Sequence, residues 1–119
     1  MSVHPNTVLF VELVPDDLPN KTFRAIVEEN AEGGMEDPSF EIEGDLYHFV
    51  LAESDYDRAY QLRTKKGCIY ALSMVTYGYG QTISWEEIAT KKNNLEAWSV
   101  RTARIHNCEH TIGITANYW

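Results

Sequence analysis

Ser39 to Ala52 reads SFEIEGDLYHFVLA, two β-rich runs joined across a glycine. In the first run Phe40 and Ile42 alternate with Glu41 and Glu43, the pattern of a strand with one buried and one acidic face. Gly44-Asp45 has the Gly-first composition of a two-residue hairpin turn, and Leu46 to Ala52 returns as a mostly apolar strand. A hairpin therefore sits near the middle of the chain, and every other segment must pack around an antiparallel pair.

Upstream, Thr7 to Val14 (TVLFVELV) carries β-branched and aromatic residues at both parities, which predicts an interior strand covered on two sides. Pro15-Asp16-Asp17 ends it. Asp17 stands at a helix N-cap position, with Pro19 in the first turn where its missing N–H costs nothing. Phe23, Ile26 and Val27 form the apolar stripe of a short helix, and Gly33-Gly34 supplies a left-handed stop.

Downstream, Tyr56 to Arg63 predicts a second short helix, with an acidic start and a basic end that suit the helix dipole. Cys68 to Tyr77 predicts a further strand, broken by Gly78-Tyr79-Gly80. Gln81 to Thr90 carries two signals. Thr82, Ile83 and Trp85 favour a strand, the reading adopted, whereas Ser84 and Glu87 resemble a capping box. Asn93-Asn94 can cap a third helix from Leu95 to His106 with Asn107 as its stop. Thr111 to Trp119 then forms a strand in which Gly113 is a candidate bulge.

The expected architecture is one α+β domain over residues 1–119. It has a mixed or antiparallel sheet of about five to six strands, with two to three short helices packed mainly on one face. A chain of 119 residues with 44% apolar content can bury such a core without metal or disulfide staples. Cys68 and Cys108 have no CxxC spacing, so reduced thiols in a cytoplasmic protein are expected. No basic-then-apolar leader and no run long enough to span a bilayer is visible, so no membrane role is expected.

Charge is distributed unevenly. Residues 1–60 hold fourteen acids against three bases, while residues 61–119 hold four acids against seven bases, within a net charge of −8. No Lys or Arg lies between Arg24 and Arg58. Glu28, Glu29 and Glu32 fall near the C-terminal end of the first helix, the end where the dipole disfavours carboxylates. Folding alone does not ask for them there. Such a field repels phosphate backbones and anionic membranes, so direct nucleic-acid binding is not expected and a basic protein surface is the expected partner.

The acidic stretch therefore provides the candidate partner-binding residues: Glu28, Glu29, Glu32, Glu36, Asp37, Glu41, Glu43 and Asp45. Tyr77 and Tyr79 are added as aromatic anchors on a glycine turn. On an extended strand Glu41 and Glu43 would point the same way, about 6.6–7 Å apart, close to the ~6.8 Å advance of phosphates two steps along DNA. The expectation is a non-catalytic inhibitor that blocks a basic, nucleic-acid-binding surface of an enzyme or effector complex. By size and charge alone it is comparable to phage counter-defence proteins such as CRISPR inhibitors and to toxin-immunity proteins.

Two alternatives use the other half of the chain. Arg101, Arg104, His106, Cys108 and His110 could serve a small enzyme or nucleotide-binding protein, with Cys108 as nucleophile and His48 or His110 as its base. Three ligands within five residues, His106, Cys108 and His110, do not close easily around one tetrahedral zinc ion, and no calcium loop is present, so neither metal nor cofactor is expected. The long apolar strands and Tyr118-Trp119 could instead form an oligomer interface.

Overall fold

The computed structural model describes residues 5–16, 19–32, 38–52, 65, 67–77 and 84–118. In chain order the elements are β1 (Pro5–Pro15), α1 (Pro19–Asn30), β2 (Ser39–Ile42), β3 (Asp45–Leu51), β4 (Ile69–Tyr77), α2 (Trp85–His106) and β5 (Cys108–Tyr118). The strands form one antiparallel sheet in the order β2-β3-β4-β1-β5. This is the expected α+β architecture, with two helices among the described residues. The expected helix over Tyr56 to Arg63 lies outside them, as do Asp17 and Gly33-Gly34.

β1 is an interior strand, flanked by β4 and β5, which explains its apolar residues at both parities. Leu9, Val11 and Leu13 face the helices, while Val8 lies on the opposite side, and all four are fully buried. On the helix side they join Ile26 and Val27 of α1, Leu95, Trp98 and Ala103 of α2, and Phe40, Tyr47 and Phe49 of the hairpin. Both helices therefore pack on one face. On the opposite face Val8, Val50, Cys68, Tyr70 and Leu72 form a second buried cluster. Glu12 points to this second side, where the Tyr70 hydroxyl donates to its Oε2 at 2.7 Å.

The hairpin differs from expectation by one residue. The turn is Glu43-Gly44, with φ of 50° and 86°, the two positive values of a type I′ turn, and Ile42 pairs with Asp45. This register puts Phe40 beside Tyr47. The Phe40 ring stacks on Tyr47, Phe49 and Trp98 with centroids 5.5, 4.7 and 4.7 Å away. Pairs of this kind add about 0.5–1.5 kcal/mol each beyond the area they bury.

The strand expected over Gln81 to Thr90 is corrected from Trp85 onward. Ser84 is an N-cap, with φ −74° and ψ 157°, and its Oγ accepts from the Glu87 N–H at 3.1 Å. The capping interaction outweighs the β-propensity of Trp85, and the helix runs on through Asn93-Asn94 without interruption. That single long helix replaces one expected strand, leaving five. Asn107 ends it in the left-handed region, donating its N–H to Ala103 O, and β5 begins at the next residue, ahead of the expected Thr111. Gly113 makes no bulge, since the β1–β5 register is unbroken from Pro5↔Tyr118 to Pro15↔Cys108.

Candidate functional site

The strand order places the acidic hairpin at one end of the sheet and β5 at the other. Around β2 the carboxylates gather in two recesses. The first, about 310 Å³, is lined by Asn30, Glu32, Ser39, Phe40, Glu41 and Leu46. Glu32 reaches β2 through an isolated bridge, its N–H donating to Ser39 O at 3.2 Å, which brings the chain leaving α1 against the sheet edge.

The second recess, about 490 Å³, lies between the hairpin tip and the start of α2. Glu43 and Asp45 line it from the hairpin, and Glu86 and Glu87 from the first helical turn. Among the described residues lining it Lys91 is the one base, and its ammonium binds Asp45 Oδ1. Glu43, Glu86 and Glu87 are exposed. Beside them Trp85, the first residue of α2, is 84% exposed.

The negative charge here is not extended by Tyr47. Its phenol, beneath the hairpin on the helix side, is pushed up to about 12 by burial first and by the Asp45 carboxylate second, so it stays protonated.

The candidate residues do not form one plane. Glu41 pairs with Leu46 on the sheet side away from the helices, whereas Glu43 stands in the turn, so the expected two-step ladder of carboxylates is broken. Glu28 and Glu29 are exposed on α1, and Glu29 Oε2 lies 2.9 Å from His106 Nε2 at the far end of α2. Glu36, Asp37 and Tyr79 lie outside the described residues. So does the side chain of Tyr77, whose backbone closes β4.

Glu86, Glu87 and Trp85 were not among the candidates read from sequence. Only the placement of the α2 N-terminus against the hairpin brings them to the site. The capping pair Ser84 and Glu87 signals the helix start locally, but not its place beside the hairpin.

Cys108 and His110 share the helix side of β5, but the other residues of the alternative cluster do not join them in one group. Arg101 and Arg104 are exposed on α2, His106 turns to Glu29, and His110 Nδ1 lies 3.4 Å from the buried Ser99 Oγ. Cys108 donates its S–H to His106 O at 3.5 Å. His48 is on β3, separated from β5 by β4 and β1, and its register puts it on the face away from the helices, so it cannot act as base for Cys108. Among the described residues no three His, Cys, Asp or Glu side chains gather where they could hold a metal ion. No described helix is long and apolar enough to cross a membrane.

No protein-family model, curated protein or solved structure matches this chain.

Proposed function

We propose that this chain is a non-catalytic inhibitor that docks its acidic end on a basic, nucleic-acid-binding surface of another protein. The observation that carries this is the convergence of Glu43, Asp45, Glu86 and Glu87 on one cleft from segments about forty residues apart in sequence. Glu86 and Glu87 have an ordinary structural reason, since carboxylates are favoured at a helix N-terminus. Glu43 has none. It holds a positive φ at a turn position that suits Asn, Asp or Gly, and it displays its carboxylate there at a conformational cost.

Trp85 supplies the aromatic contact that such an interface needs, because charge complementarity mainly sets association rate while buried aromatic anchors set residence time. Among the described residues lining the cleft the single base, Lys91, is engaged by Asp45, which leaves three exposed carboxylates to meet a cationic surface. Glu32 and Glu41 extend the same charge along the sheet edge.

The test is competitive. Proteins retained from a lysate by the immobilised chain are eluted with salt and identified, and those that bind a labelled DNA or RNA duplex are assayed by fluorescence anisotropy. The chain should release the duplex without hydrolysing it. A Glu43→Gln, Glu86→Gln, Glu87→Gln variant should lose most of its potency at low salt, and Trp85→Ala should lose potency at every salt. Equal potency of wild type and both variants would remove this surface from consideration.

A further inference from the structure

We propose that β5 is a self-pairing edge, and that two copies of the chain join β5 to β5 antiparallel about a two-fold axis at Gly113, giving one continuous ten-stranded sheet. Among the described residues β1 is the only strand paired with β5, so β5 is an edge of eleven residues. Edge strands are normally shielded by shortness, by lysine, by proline or by a bulge. β5 is long, holds no lysine or proline and keeps an unbroken register with β1, and its one acid, Glu109, stands near its start, away from Gly113. The opposite edge, β2, is by contrast four residues long and carries the acid Glu41.

The centre of β5, Thr111-Ile112-Gly113-Ile114-Thr115, reads the same in both directions. A two-fold dimer demands such self-complementarity, because each residue must suit the one it meets across the axis. Centred on Gly113, antiparallel pairing sets Ile112 against Ile114 of the second copy and Thr111 against Thr115 of the second copy. Parity carries the isoleucines to the helix side, where Ile114 is 46% exposed, and the threonines to the other. Apolar and threonine pairs directly opposite one another are among those that stabilise sheets.

Gly113 explains itself in the same geometry. A Cβ added there would lie 2.7 Å from Cζ of Phe10, so the Phe10 ring covers this position from the neighbouring strand. With glycine on both strands at the axis, the two Phe10 rings lean toward one another over a gap that side chains would otherwise fill.

Charge favours this edge too. The acidic recesses are at the other end of the sheet, the last turns of α2 carry the exposed Arg101 and Arg104, and β5 itself holds one acid, Glu109. Copies joined at β5 keep their acidic ends several strand widths apart, beyond the ~10 Å over which salt screens exposed charges.

Sedimentation equilibrium across a concentration series should give twice the 13.6 kDa chain mass. An Ile114→Lys variant should return to the single-chain mass with an unchanged circular dichroism spectrum, melting somewhat lower because the stabilisation by association is lost. Register is tested by mixing a Thr111→Cys chain with a Thr115→Cys chain under mild oxidation. The mixture should crosslink well above the wild-type background while each variant alone does not, since like positions are about 13 Å apart in this register. Wild type at single-chain mass throughout would overturn the proposal. So would an Ile114→Lys chain that remains folded and dimeric, or crosslinking in each single variant with no increase in the mixture.

Discussion

The indole N–H of Trp98 donates to Oδ1 of Asn30 at 3.0 Å, while Nδ2 of the same asparagine donates to Ile26 O at 2.9 Å. One amide thus closes the C-terminal end of α1 and satisfies the polar atom of the largest ring in the core. Replacing Asn30 with Leu removes both bonds. The expected loss is about 1–3 kcal/mol, the usual penalty for leaving a buried donor unsatisfied. In a Trp98→Phe background the loss should be clearly smaller, because the indole N–H is already gone, and urea unfolding of the four proteins of that cycle measures the difference.

Alkali should unfold the protein through its tyrosines. Burial first, with the hydrogen bond to the Glu12 carboxylate second, raises Tyr70 above its ordinary value of 10.0, and burial raises Tyr47 to about 12. A phenol whose folded pKa is raised holds its proton more tightly in the folded state. Its contribution is full below the unfolded value near 10 and is lost as pH climbs through the folded pKa. Melting temperature should therefore fall steeply above about pH 10, and less steeply in Tyr47→Phe. Tyr70→Phe should cost about 1.5–3 kcal/mol already at neutral pH, because Glu12 loses a charge-assisted donor.

Glu43→Asn should stabilise the hairpin by about 0.5–1 kcal/mol, since asparagine accepts the left-handed region that glutamate resists. The same variant should bind a basic partner more weakly. A drop in melting temperature would mean that Glu43 holds the tip through a contact of its own, and its conformational cost would then no longer argue for function.

The two thiols should behave differently. Cys68 is buried on the sheet face away from the helices, and burial, then Glu12, raises its pKa, whereas Cys108 is half-buried on the helix side of β5. The sheet lies between them, which rules out a bridge. Ellman's reagent at mildly alkaline pH should titrate Cys108 first and reach Cys68 only after denaturation, and mass spectrometry should count two free thiols. A single accessible thiol after denaturation would contradict this.

Local signals carried much of the fold. The doubled apolar parity of Thr7 to Val14 marked an interior strand, and Pro19 and Asn107 marked a helix start and a helix stop that the structure retains. What failed was competition between signals of similar size. At Trp85 the β-propensity of one aromatic was set against a capping box, and at Gly44 one two-residue turn against another shifted by one residue. At Trp85 the local cap at Ser84 prevails, and at the turn the register that prevails is the one that lets Phe40 reach Trp98. The acidic stretch was legible as composition. Its assembly with Glu86 and Glu87 was not, because nothing local to either segment records that α2 begins beside the hairpin.

The position of β1 also has a consequence during synthesis. This strand is made early but sits between β4 and β5, so it meets its first neighbour only after about seventy residues and its second after about a hundred. On the ribosome both of its edges stay open until β4 has emerged, and one stays open until Cys108–Tyr118 has followed. Sheets dominated by such distant pairings fold slowly, in milliseconds to seconds. Nascent chains arrested before β5 are therefore the species on which chaperone binding, and aggregation in its absence, should concentrate.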